Sequence, residues 1–200
     1  MLAPPHLLAS PPTFRAATSA PWRQVCLNSQ LYKDATGAPE LAAEQDRWLD
    51  TELSLARSEG ARRVVVFSHI PPFINDPDEG SGYFPLAKEV RTRLLTKMAQ
   101  HGVTHWFCGH YHRNAGGVFC LPCDDPTGDE EEKATVEVVT TAAVGANIGN
   151  DPSGDPLGLT GMLDVAAEAD LSGLRVVDVG EHTLTHRFRT LASLLGRGLG

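Results

Sequence analysis

The stretch Arg63-Val64-Val65-Val66-Phe67-Ser68-His69-Ile70-Pro71-Pro72 decides how the rest of the chain is read. Val64 to Phe67 is a continuous apolar run of β-branched and aromatic residues, too short for a helix and suited to a strand covered on both faces. The two prolines end it, because neither offers a backbone donor. Immediately upstream, residues 40 to 59 place Leu41, Trp48, Leu49, Leu53 and Leu55 at helical spacing among acids, Gln and Arg. Gly60 follows, able to take the left-handed conformation that closes a helix. The pattern then repeats. Leu86, Val90, Leu94, Leu95 and Met98 are spaced as a helix, Gly102 closes it, and Val103 to Cys108 reads as a second buried strand.

Working outward, Gln24 to Ser29 reads as a short strand, and Gly117 to Leu121 and Thr135 to Thr140 as further extended segments. Leu174 to Val179 and His182 to Phe188 read as the arms of a hairpin turning at Gly180-Glu181. Strand, helix, strand, helix, strand and then a run of β segments predicts an α/β fold with helices packed on a sheet. Residues 24–192 form its body. Residues 1–23 are expected to be a disordered leader, and 193–200 a frayed tail. Two loops interrupt the body: an acidic one over 122–134, with Asp124, Asp125, Asp129, Glu130, Glu131 and Glu132, and one rich in Gly, Asp and Pro over 145–173.

The length of 200 residues is room for one domain with a real core. The formal charge of -8 argues against a nucleic-acid binder, which needs a basic face. No apolar run approaches the ~20 residues of a membrane helix. Pro4, Pro5, Pro11 and Pro12 break any secretory apolar segment, and four cysteines are sparse for the length. A reducing, cytoplasmic setting is the expectation.

In open α/β sheets ligands gather at the carboxyl ends of the strands. Two strand ends carry chemistry: Phe67-Ser68-His69, and Phe107-Cys108-Gly109-His110-Tyr111-His112-Arg113-Asn114. His110 and His112 are two apart, which in extended chain puts both rings on one side. Gly109 lets the backbone approach a ligand. Neutral imidazole is the commonest transition-metal ligand, so the pair is a metal candidate, with two solvated rings as the alternative. Cys120 and Cys123, with His110 and His112, allow a structural zinc module to be drawn as a rival. His101, His105, His182 and His186 are expected in structural or solvated roles, and Trp48 and Trp106 in the core.

The two strand ends, about forty residues apart and in this order, resemble the late motifs of the calcineurin-like metallophosphoesterases. Cys26-Leu27-Asn28-Ser29-Gln30, Glu44 through Asp50, Gly109 through Gly117 and Gly173 through Val177 resemble its branch of serine/threonine phosphatases described as acting on the kinase Akt. The resemblance covers roughly residues 24 to 118 and 135 to 192. It implies part of a layered β-sandwich flanked by helices, and metal-dependent hydrolysis of a phosphoprotein, an Akt-type kinase among the substrates. It implies two divalent ions, manganese, iron or zinc, in the intact site. His69 and His110 would ligate one ion and His112 the other, with Arg113 as a phosphate contact and Asn114 and Asn28 as weaker candidates. The family's Asp-x-His, Gly-Asp and Gly-Asn-His motifs do not occur in matching context, and its leaving-group histidine is absent with them. Gly149-Asn150-Asp151 lacks the His and follows Gly-His-x-His instead of preceding it. The expectation is an incomplete site in which this chain alone holds one ion or none. The alternative is an inactive relative that serves as a binding protein.

Overall fold

A computed structural model describes residues 14–19, 22–61, 63–121, 134–145 and 172–194. Eight strands and four helices follow in chain order. They are β1 (Arg15–Ser19), β2 (Trp22–Cys26), α1 (Gln30–Lys33), α2 (Pro39–Ser58), β3 (Arg63–Phe67), α3 (Lys88–Gln100), β4 (Val103–Cys108), β5 (Ala115–Cys120), β6 (Thr135–Thr140), β7 (Gly173–Val179), β8 (Leu184–Thr190) and α4 (Leu191–Leu194). The expected α/β architecture is what forms. Six strands make one sheet in the order β1-β2-β3-β4-β6-β5, and β7 and β8 make a separate hairpin. Strands β2, β3, β4 and β6 run parallel, with β1 and β5 antiparallel at the two edges.

The apolar runs read from the sequence are buried because both faces of the sheet are covered. On one face Leu49, Leu53 and Ala56 of α2 and Leu94, Leu95, Met98 and Ala99 of α3 pack on Val25, Val64, Val66, Val103, Trp106, Val136 and Val138. On the other, Trp22, Val65, Phe107 and Val139 meet Val177 and Leu184 of the hairpin. Gly60 and Gly102 both take positive φ directly after the helices. Gly60 N–H bonds Arg57 O and Ala61 N–H bonds Ala56 O, which satisfies carbonyls that a helix end would leave open.

One irregularity decides which way the side chains of β4 point. The register between β3 and β4 shifts between Val64 and Val65, so that Val64 faces Val103 but Val65 faces His105. The extra residue in β4 is a bulge. It lets Val103 and Trp106, three apart, both point to the helix side, and it turns His105 and Phe107 to the hairpin side.

The chain is ordered earlier than the leader expected over 1–23. Arg15–Ser19 pairs with Trp22–Cys26, and Phe14 packs on Trp48 of α2 at a ring distance of 4.7 Å. The acidic segment apart from Ala134, the Gly/Asp/Pro-rich segment over 146–171, Cys123, Gly149-Asn150-Asp151 and the tail from 195 lie outside the described residues.

The loop between β3 and α3 is held by a buried cation. Arg91 of α3 is fully buried and donates to the carbonyls of Pro77, Glu79, Gly80 and Leu86. Replacing Arg91 by Met removes the donor and leaves those carbonyls without it. The loss should be roughly 3 kcal/mol or more, read as a drop in urea midpoint, with early proteolytic nicking between residues 76 and 82.

Candidate metal centre

Parallel pairing places the carboxyl ends of β2, β3 and β4 side by side, and the polar groups there tie the ends together. Ser68 N–H bonds Phe107 O at 3.0 Å and Gly109 N–H bonds His69 O at 3.0 Å, so the ladder continues past both strands. Trp106 Nε1 donates to Ser68 Oγ at 2.9 Å. Ile70 N–H donates to the buried Ser29 Oγ at 2.8 Å. Gln45 of α2, fully buried, accepts from Asn28 N–H at 2.8 Å and donates to Asn28 O at 3.1 Å. His69 and His110 are brought edge to face with ring centroids 5.0 Å apart. The forty residues of sequence between them collapse to one contact.

His110 sits in an aromatic enclosure, with Phe84 at 5.7 Å and Tyr83 at 5.9 Å, and Phe84 in turn against Tyr111 at 5.0 Å. Lys33 holds that wall in place by donating Nζ to the carbonyls of Gly82, Tyr83 and Pro85 at 2.9, 2.7 and 2.6 Å. Burial, followed by the charges of His69, Lys33 and His112, pushes the His110 imidazole below its ordinary value. The neutral ring, which carries the lone pair a metal needs, is therefore the favoured form.

The extended backbone expected through His110 and His112 does not occur. Both take positive φ, 66° and 56°, the only non-glycine residues to do so among those described. Tyr111 N–H bonds Gly109 O at 2.7 Å and closes a tight turn around His110. The two rings are thus aimed by a loop and not by the alternation of a strand. Such conformations cost about 1–3 kcal/mol each and persist where the surroundings impose them.

Arg113 lies over the Tyr111 ring at 5.3 Å and donates to its hydroxyl at 3.2 Å. Asn114 is exposed, its Oδ1 accepting from Arg175 Nη2 at 2.9 Å and from Ala142 N–H at 3.4 Å. Asn28 Oδ1 accepts from Gln30 N–H at 3.1 Å. The rival zinc module is not gathered by the described residues. β5 leads away from the histidines, and Cys120 at its far end is exposed and roughly 17 Å along the strand from Ala115.

A second convergence was missed by the sequence reading, which put His105 and His186 in structural or solvated roles. Among the described residues, only His105, Glu137 and His186 form a set of three candidate ligands with all ligand atoms within 4.8 Å. His69, His110 and His112 therefore do not by themselves close on a single ion. No carboxylate joins them in such a set among the described residues.

The similarity of this chain to known proteins defines its class. This chain belongs to the calcineurin-like metallophosphoesterases. More particularly, it is similar to the serine/threonine-protein phosphatase CPPED1, with 35% identity over 173 residues of the Danio rerio protein and 34% over 174 residues of the Homo sapiens protein. Each match covers 86% of this chain and 45% of the relative, so the chain spans less than half the length of the curated relatives it matches. No protein-family model matches the chain. Among solved structures it is similar to a dimetal phosphatase from Danio rerio, at 18% identity and a TM-score of 0.41, over 64% of this chain and 48% of that one. It is also similar to GAP50, the anchor in the inner membrane complex of Plasmodium, at 14% identity and a TM-score of 0.41, over 65% of this chain and 36% of that one. Among the described residues no helix is long and apolar enough to cross a membrane.

Two outcomes test this geometry. Because positive φ penalises any side chain, His110→Gly and His112→Gly should each be about 1 kcal/mol more stable than the alanine counterpart in urea denaturation. Equal stability would mean that the turn is not imposed. Cys108 lies buried directly behind the site, and burial pushes its thiol up to about 12. Iodoacetamide at pH 8 should label the exposed Cys26 and Cys120 and spare Cys108 until the chain is unfolded.

Proposed function

We propose that this chain supplies the late-motif share of a binuclear metallophosphatase site acting on phosphoserine and phosphothreonine in proteins. The observation that carries the reading is the contact between His69 and His110. Two motifs that are separate in sequence become one ligand pair through the β3–β4 pairing. In this reading His69 and His110 hold one divalent ion, and His112, two residues on, reaches the other. The ions would supply Lewis-acid charge toward the phosphoryl oxygens.

The chain's own groups do the rest of what is assigned to it. The aromatic wall of Tyr83 and Phe84, with Tyr111 behind Phe84, partly buries His110 and favours its neutral ring. Arg113, braced on Tyr111, presents a planar donor suited to phosphate oxygens. Asn114 acts behind the site, holding the loop to Arg175. The phosphoprotein substrate follows from the name of the relatives and from nothing in this geometry.

Three neutral imidazoles do not offset the repulsion of two divalent ions a few ångströms apart. The chain by itself is therefore expected to turn over little. With manganese present, p-nitrophenyl phosphate hydrolysis by the pure chain should stay near background. His110→Ala should lower bound manganese without changing the far-ultraviolet dichroism. Strong turnover that disappears in His110→Ala would mean that carboxylates of this chain complete the site, and would overturn the partial-site reading. Manganese binding indifferent to His69→Ala, His110→Ala and His112→Ala would overturn the ligand assignment.

A further inference from the structure

The inner side of the hairpin carries a polar cluster that the phosphatase reading does not use. Glu137 stands in β6, with His105 beside it in β4 and His186 above it in β8. His105 faces Glu137 directly across the parallel pair. One carboxylate oxygen lies 3.1 Å from His186 Nε2, and the other lies 3.3 Å from His105 Nε2. The two rings stand at 89° with centroids 6.0 Å apart. Both histidine side chains are largely buried, at 12% and 16% exposure, while Glu137 keeps 42% and leaves a path to solvent.

We infer that His105, Glu137 and His186 form a single-ion transition-metal site, separate from the strand-end histidines, of the two-imidazole, one-carboxylate type that takes zinc. Three arguments support it. The donor set is one that zinc uses when a fourth position is left to water. Ligands at ~2.0–2.1 Å on a tetrahedral ion lie roughly 3.3 Å from one another; Glu137 sets one oxygen 3.1 Å from His186 Nε2 and the other 3.3 Å from His105 Nε2, and one ligand atom from each of the three residues lies within 4.8 Å of the others. The ligands also come from three strands in both sheets, so an ion there would staple the hairpin to the six-stranded sheet.

The hydrogen bonds define what metal binding must change. Arg175 Nη1 lies 2.9 Å from His186 Nδ1. Guanidinium only donates, so this nitrogen accepts, and the ring proton sits on Nε2 and points at Glu137. In the metal form that proton moves to Nδ1, and the ring stays neutral. Arg175 then leaves Nδ1 and keeps its bonds to Thr141 Oγ1, at 3.0 Å, and Asn114 Oδ1. His105, whose Nε2 also faces a Glu137 oxygen, makes the same shift in the metal form. Its Nδ1 lies 2.9 Å from Thr104 Oγ1, which can accept the proton and free Nε2 for the ion. Arg175 is thus a gate on this site: it stabilises the proton form and opposes the metal form.

The test uses the full chain carrying His110→Ala and His112→Ala, which removes the strand-end pair. Cobalt(II) titration, followed by its visible absorption and displaced by zinc, should show one equivalent bound with tetrahedral intensity. Glu137→Gln or His186→Ala in the same background should abolish it. Arg175→Gln, which offers His186 Nδ1–H an acceptor, should tighten it by about tenfold. Melting temperature with and without zinc gives a second readout, since binding to the folded state raises it. Zinc should raise it in the background and in Arg175→Gln, and not in Glu137→Gln. Absence of the equivalent in the background, or its survival in both Glu137→Gln and His186→Ala, overturns the proposal. A Glu137→Gln chain that melts lower, with no variant binding cobalt, would show that the cluster is a hydrogen-bonded pin and would overturn it equally.

Discussion

The parallel pairing of β3 with β4 is the constraint on which the rest of this structure depends. Val66 faces Trp106 and Phe67 faces Phe107, and the ladder does not stop where the strands do. It runs on through Ser68 N–H to Phe107 O and Gly109 N–H to His69 O, which sets the two histidine-bearing turns level. Backbone bonds alone allow fraying at a strand end. Here buried side chains resist it, since Trp106 bonds Ser68 and Ser29 bonds Ile70. Gln45 clamps both polar atoms of Asn28's backbone from the helix side. Each link is worth on the order of 1 kcal/mol when made and more when a buried partner is left alone. These bonds tie the start of both histidine-bearing turns to the core.

The same pair of strands contains the bulge that divides the chemistry of the molecule in two. Strict alternation along β4 cannot send both Val103 and Trp106 to the helices. One extra residue between them does so, and in the same step sends His105 and Phe107 toward the hairpin. Phe107 fills the apolar centre of that interface. His105 stacks on Phe107 at 5.8 Å and reaches Glu137 at its polar edge. A histidine cluster at the strand ends and another between the layers thus arise from one strand, by position along it and by face.

The range over which each feature is encoded explains why some were legible in the sequence and others were not. The helices were legible because their apolar spacing and their closing glycines are local properties; Gly60 and Gly102 lie where the spacing put them. The buried strands were legible because runs such as Val64 to Phe67 have few alternatives. The strand at Arg15–Ser19 was not, because Arg-Ala-Ala-Thr-Ser has no apolar alternation and pairs as an edge strand through its backbone. Its position is set by Phe14 on Trp48, a contact made from outside the strand. His69 and His110 could be named from their place at strand ends. The conformation of His110 and His112 could not, since positive φ at a histidine is imposed by the surrounding fold and opposed by local preference. The cluster at His105, Glu137 and His186 was invisible for a stricter reason. It needs the bulge, the β4–β6 register and the docking of the hairpin together, and none of these is written in one segment.

Arg175 joins the two clusters, and its chemistry makes the junction stiff. A guanidinium has five donors and no acceptor, so every neighbour it holds must present a lone pair. From β7 it holds three: Thr141 Oγ1 after β6, Asn114 Oδ1 two residues beyond His112, and Nδ1 of His186. It thereby fixes which way the Asn114 amide faces and which tautomer His186 adopts in the same set of bonds. Burial alone opposes the charge, and Glu137 nearby offsets part of that opposition. A change at His186 therefore cannot leave Arg175 undisturbed. Arg175 also anchors, through Asn114 Oδ1, the loop that aims His110 and His112. The hairpin is more than a cover for the second face of the sheet: through one side chain it braces the strand-end loop from behind.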